Sequence, residues 1–119
     1  MKKTLIIGAT DNPGRYASLA AHRLIANGHE IINVGIKLGE VAGVPIEKAE
    51  IIHSDVDTIT LYVGPQHQSA YFDYILRTKP KRIIFNPGTE NRELEELALE
   101  NGIETTEACT LVLLSTGQY

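Results

Sequence analysis

The segment Thr4 to Ser18, TLIIGATDNPGRYAS, constrains the fold of this chain more than any other. Leu5, Ile6 and Ile7 form an apolar run too short to cross a membrane and too continuous for a strand with one wet face. The run therefore reads as a strand covered on both sides, as in a parallel sheet packed between helices. Gly8 ends the strand, and Gly14 lets the backbone come close to a ligand. The helix that follows offers unpaired N–H groups to an anion. A dinucleotide fingerprint would read G-x-G-x-x-G, whereas this segment has only Gly8 and Gly14, with Ala9 and Thr10 after the first. A strand-to-helix turn without a ligand is the competing reading of the same residues.

The rest of the chain repeats the alternation. Ala17, Ala20, Ala21 and Leu24 fall at i, i+3, i+4 and i+7, one apolar helical face that stops at Asn27-Gly28. Residues 30–36 (EIINVGI) predict a second strand. Lys37 to Pro45 carries three breakers, Gly39, Gly43 and Pro45, and reads as an ordered loop or a short excursion. A third strand falls within 56–64, and Pro65 opens a helix whose inward stripe is Phe72, Ile75 and Leu76 before Pro80 stops it. Residues 82–88 (RIIFNPG) form the fourth strand. A helix on Leu94, Leu97 and Ala98 follows it and ends at Asn101-Gly102. A fifth strand spans 103–109, and residues 111–114 fit either a short helix or an extended segment. Strands alternating with helices predict an α/β chain with right-handed crossovers, a mostly parallel five-stranded sheet and the strand order 3-2-1-4-5.

Composition narrows the partners. The 119 residues suit one domain over 1–119, with a formal net charge of −4. Lysine and arginine cluster only at Lys79, Lys81 and Arg82, which argues against nucleic acid. No apolar run approaches the roughly 20 residues of a membrane span, and Met1-Lys2-Lys3 leads straight into strand residues, so a cytoplasmic protein is expected. The single cysteine, Cys109, permits no internal disulfide, and His22, His29, His53 and His67 lack metal-ligand spacing, so no metal is expected.

In such a sheet, ligands sit beyond the carboxyl ends of the strands. The residues there are Gly8-Ala9-Thr10, Asn33 to Lys37, Tyr62 to Pro65 and Phe85 to Gly88, and no nucleophile with its base is visible among them. An NAD site places an acid at the second strand end, about 20 residues past the glycine motif. Here that place holds Asn33, Val34 and Gly35, with Lys37 close by, which favours a ribose carrying a phosphate. Both NADP and coenzyme A have one. An ordinary solvated lysine is the alternative for Lys37.

These motifs resemble the CoA-binding domain family, small Rossmann-like proteins related to the CoA-binding domain of the succinyl-CoA synthetase alpha subunit. The similarity covers nearly the whole chain. Gly8-Ala9-Thr10 and Arg15 resemble the family's first turn and its basic residue. Asn33-Val34-Gly35-Ile36-Lys37 approximates its V-N-P and basic residue, and Gly43-Val44-Pro45 its G-x-P turn. Val63-Gly64-Pro65 and Asn86-Pro87-Gly88 match the turns after the third and fourth strands.

The resemblance implies a Rossmann-like three-layer α/β/α sandwich that binds CoA or an acyl-CoA as a non-catalytic module. Gly8, Ala9, Thr10 and Arg15, with Gly14 between, would then hold the diphosphate, and Asn33, Gly35 and Lys37 would lie near the phosphorylated ribose. Tyr62, Val63, Gly64 and Pro65 would line the adenine or ribose side, and Asn86, Pro87 and Gly88 the pantetheine exit. The alternatives are an NADP-dependent small reductase and an NAD(P)-sensing regulatory domain. The latter could act only through a protein partner, and a homo-oligomer is equally compatible. His67 reads as a helix-start or surface residue, and Cys109 as a small buried hydrophobe.

Overall fold

The computed structural model describes all residues, 1–119. The apolar runs become β1 (Thr4–Ile7), β2 (Ile31–Val34), β5 (Thr58–Leu61) and β6 (Arg82–Phe85), joined at one edge by β7 (Glu104–Glu107). Two further strands, β3 (Gly39–Val41) and β4 (Val44–Glu47), complete a seven-stranded sheet in the order β3-β4-β2-β1-β5-β6-β7. Every pairing is parallel except the β3–β4 hairpin.

The helices are α1 (Tyr16–Ala26), α2 (Pro65–Gln68), α3 (Phe72–Thr78), α4 (Arg92–Glu100) and α5 (Thr110–Ser115). Successive strand residues point to opposite faces. On one face, Leu5 and Ile7 pack with Ile59, Leu61, Ile83 and Phe85 against Tyr74 and Ile75 of α3 and Leu94 and Ala98 of α4. On the other, Ile6 meets Ala17, Ala21 and Leu24 of α1 and Leu114 of α5. All residues of β1, β2 and β5 are buried, as expected of strands covered on both sides. The three-layer α/β/α arrangement follows directly. No helix is long and apolar enough to cross a membrane.

The expectation of five strands in the order 3-2-1-4-5 is corrected within the breaker-rich region 37–45. That region forms a hairpin, and β4 takes the place beside β2. The strand over 58–61, third in the sequence reading, lies instead on the far side of β1. The hairpin turns at Ala42-Gly43, both with positive φ (54° and 78°), as a two-residue type I′ connection requires. Pro45 is tolerated because β4 pairs with β2 only from Ile46 onward, which leaves Pro45 opposite Glu40 of the edge strand and exposed.

The helical stretch after Pro65 is interrupted by a 3-10 turn over Ser69–Tyr71. It ends at Thr78 because Lys79 precedes Pro80, which disfavours the right-handed helical region, and Lys79 turns left-handed instead (φ 53°). Asn91 caps α4, its Oδ1 accepting from the N–H groups of Glu93 (3.0 Å) and Leu94 (3.4 Å). The undecided segment 111–114 is helical and buries Leu114 against α1.

Candidate functional site

The crossover through α1 lies on one face of the sheet and that through α2 and α3 on the other. A crevice therefore opens at the carboxyl ends of β1 and β5, between the two diverging connections. A cleft of about 650 Å³ occupies it, and an adjoining lobe of about 220 Å³ extends toward the loop after β6.

Gly8 sits at the junction with φ +97°, and a Cβ there would stand 2.8 Å from the Tyr62 carbonyl oxygen. Only glycine lets the ends of β1 and β5 come this close. The loop beyond is organised by its own polar groups. Asn12 N–H donates to Thr10 Oγ1 (3.2 Å), and Gly14 N–H donates to Asn12 Oδ1 (2.9 Å). Arg15 then precedes α1 in extended conformation (φ −100°, ψ 146°), and no side chain caps the helix. Tyr16 and Ala17, the first two helical residues, line the smaller lobe and have no backbone acceptor for their N–H groups.

Most of the expected residues meet here. Gly8, Ala9, Thr10 and Arg15 line the main cleft with Lys37, Tyr62, Val63 and Gly64, and Pro87 and Gly88 line the smaller lobe. Five expected residues do not line either part. Gly14 is held by the Asn12 turn, and Pro65 is the first residue of α2. Asn33 is fully buried, and its Nδ2 donates to the carbonyls of Val41 (3.2 Å) and Val44 (3.1 Å), fastening the hairpin to β2. Gly35 lies directly against the Ala9 carbonyl oxygen, in a space that a Cβ would fill.

Asn86 is a buried lock between strands and helix. Its Nδ2 donates to Thr60 Oγ1 (2.6 Å) and the Leu61 carbonyl (2.7 Å), and its Oδ1 accepts from Thr110 N–H (2.9 Å). Both of its polar ends are thereby engaged inside the protein.

The structure adds residues that strand-end reasoning passed over. Asp11, Ile46, His67, Ala70 and Tyr71 complete the main cleft, and Thr89 the smaller lobe. His67 is at once an exposed helix-start residue and part of the cleft wall. Gln68, fully buried, donates to the carbonyls of Val63 (2.9 Å) and Thr89 (2.7 Å) and accepts from Asn91 (3.1 Å). It ties together the loops that wall the two parts. A glutamine within a run of polar helix-start residues carries no sequence sign of this role.

Tyr62 lines both parts of the site. Its hydroxyl is buried without a hydrogen-bond partner, and desolvation first, then the nearby Cys109, push its pKa up to about 12. It is a neutral aromatic wall at physiological pH. Cys109 itself is partly buried at the start of α5, so it is less enclosed than a core residue. The cleft as a whole offers two exposed cations, Arg15 and Lys37, open backbone N–H groups and an apolar wall. Such a surface suits an elongated anionic ligand that also carries a flat or apolar portion.

Known structures share this architecture. A solved structure described as that of an uncharacterized protein is 58% identical, with a TM-score of 0.97, over 100% of this chain and 98% of that one. A hypothetical protein from Pyrococcus horikoshii OT3 is 24% identical, with a TM-score of 0.86, over 97% of this chain and 82% of that one. A Thermus thermophilus structure is 18% identical, with a TM-score of 0.84, over 99% and 90%. The last two show the fold alone. No curated protein matches the chain. The model of the CoA binding domain matches residues 2–115, the whole sheet and all five helices, and the chain belongs to that family.

Proposed function

We propose that the protein binds coenzyme A, free or acylated, in the cleft at the carboxyl ends of β1, β2 and β5, and that it does so as a non-catalytic module. The observation that carries this reading is the uncapped start of α1, which faces the smaller lobe, and Arg15, which lines both that lobe and the main cleft that Lys37 lines. The diphosphate lies against Gly8, Ala9, Thr10 and Arg15, where the helix N-terminus and the guanidinium both favour negative charge. Lys37 takes the ribose phosphate. Tyr62 to Gly64 face the nucleoside, and Pro87 and Gly88 line the exit for the pantetheine arm. The family match supports the ligand class, and the neutral, walled-in Tyr62 suits binding better than proton transfer.

A ligand that binds only the folded state raises the melting temperature with its saturation. CoA is therefore expected to raise it more than NADH at equal concentration, in a thermal-shift series of CoA, dephospho-CoA, NADPH and NADH. A shift with NADPH and none with CoA would transfer the site to the dinucleotide reading, which Lys37 equally permits.

Two substitutions divide the ligand. Arg15→Ala should weaken CoA and dephospho-CoA alike, by about 10- to 100-fold, because both carry the diphosphate and a charge-assisted hydrogen bond is worth about 1.5–3 kcal/mol. Lys37→Ala should weaken CoA more than dephospho-CoA in the same calorimetric titrations. Equal losses would remove Lys37 from the ribose phosphate, and a selective loss in the arginine variant would remove Arg15 from the diphosphate.

A further inference from the structure

The end of β2 lacks an acid in sequence, but the fold brings one to the wall of the same cleft from elsewhere. Asp11, from the loop between β1 and α1, leans over the outer hairpin. Its Oδ2 lies 3.0 Å from the position that a Cβ on Gly39 would occupy. Asp11 is exposed, lines the main cleft and joins none of the protein's ion pairs. Lys37, two residues before Gly39, lines the same cleft and is likewise unpaired. One carboxylate and one ammonium are thus presented to whatever lies in the main cleft.

These two groups have opposite preferences for a ribose. A carboxylate accepts hydrogen bonds from two vicinal hydroxyls and repels a phosphate on either of them. An ammonium attracts the phosphate and gains little from a free diol. We propose that Asp11 and Lys37 form an opposed pair that reads the ribose, so that the cleft accepts nucleotide diphosphates with a free diol as well as those with a ribose phosphate. The inference rests on the reading of the cleft as a CoA site and adds to it a specificity-determining acid. Lysine alone would make the site strongly selective for the phosphorylated ligand; Asp11 narrows that preference. Asp11 also excludes the simplest structural explanation for itself, a salt bridge across the loop, since it makes none.

The test is calorimetric titration of the wild type and Asp11→Asn with CoA and with dephospho-CoA at one fixed ionic strength, alongside melting curves. The substitution keeps the shape of the side chain and removes its charge. The wild type is expected to bind both ligands, with affinities within about tenfold of each other, and Asp11→Asn to move the ratio toward CoA by roughly tenfold. That shift combines a weaker hold on the diol with relief of repulsion from the phosphate. A ratio within about twofold of wild type overturns the pairing while leaving the CoA reading intact. The same holds if the melting temperature falls and the ratio stays, since Asp11 would then only support the hairpin. A wild type that binds neither ligand overturns both.

Discussion

Gly35→Ala is expected to cost about 2–4 kcal/mol of stability and to weaken CoA binding by about tenfold or more, although Gly35 lines neither part of the cleft. A Cβ there would press into the Ala9 carbonyl oxygen and would also meet Ile46 Cγ2 at 3.1 Å. The Ala9 carbonyl is backbone, so it cannot rotate away as a side chain would. Relief requires the end of β1 to move off β2, which strains the hydrogen bonds from the Gly8 and Ala9 N–H groups to the Val34 carbonyl, both 2.9 Å. The same movement displaces Ala9 and Thr10, which line the cleft. In a chain of 119 residues, such a loss lowers the melting temperature by about 10 °C or more. Thermal unfolding and calorimetric titration of one variant check both halves. Weaker binding with an unchanged melting temperature would mean that Gly35 touches ligand instead of setting the strand separation. An unchanged variant in both assays would remove the close approach altogether.

Asn86→Ala should destabilise by about 3–5 kcal/mol, a loss visible as an early transition in urea or heat. Alanine deletes three buried hydrogen bonds at once and leaves the Thr110 N–H and the Leu61 carbonyl without the partners they have now. The cost comes chiefly from those orphaned backbone groups, each worth about 1–3 kcal/mol when buried unpaired. Thr60 fares better, because its hydroxyl still bonds Thr110 Oγ1 at 2.8 Å. Asn86→Asp offers a second comparison: it retains the acceptor for Thr110 N–H but sets an oxygen against the Leu61 carbonyl, so it should also destabilise. A loss below about 1 kcal/mol for alanine, the net value of one ordinary hydrogen bond, would show that water replaces Asn86. The residue would then be free to face a ligand.

Both predictions concern residues that a strand-end reading groups with the ligand. Asn33, Gly35 and Asn86 stand where a ligand contact is expected along the chain, but each is drawn inward by a neighbour distant in sequence: the β3–β4 hairpin, the Ala9 carbonyl and the start of α5. The physical difficulty is general. The last residues of a buried parallel strand sit at the edge of the site and also at the edge of the core, and sequence position does not say which neighbour claims the side chain. The hairpin was hidden for a related reason. Gly39, Gly43 and Pro45 are breakers by local preference, but pairing with the exposed flank of β2 overrides that preference in a segment of only nine residues.

Elements with strong local signals were legible. The helical face of Ala17, Ala20, Ala21 and Leu24 is buried, and the buried strands around Leu5, Ile59 and Ile83 lie side by side in the sheet. Gly8 and Arg15 come together with Lys37 at one cleft. Strand 103–109 shortens to Glu104–Glu107, an edge strand whose outer residues are exposed and whose middle pair, Thr105 and Thr106, is half-buried.

The sequence by itself determined the layered α/β architecture, the glycine that lets β1 approach β5, and the cations facing the cleft, because apolar periodicity and backbone freedom act over a few residues. Only the tertiary structure decided which strand lies beside β2, that Asn86 locks the core, that Gln68 joins two loops, and that Asp11 lies over Gly39 of the outer hairpin. Each of these depends on residues brought together from separate strands and loops, whose contacts are set by the packing of the whole sheet and leave no periodic trace along the chain.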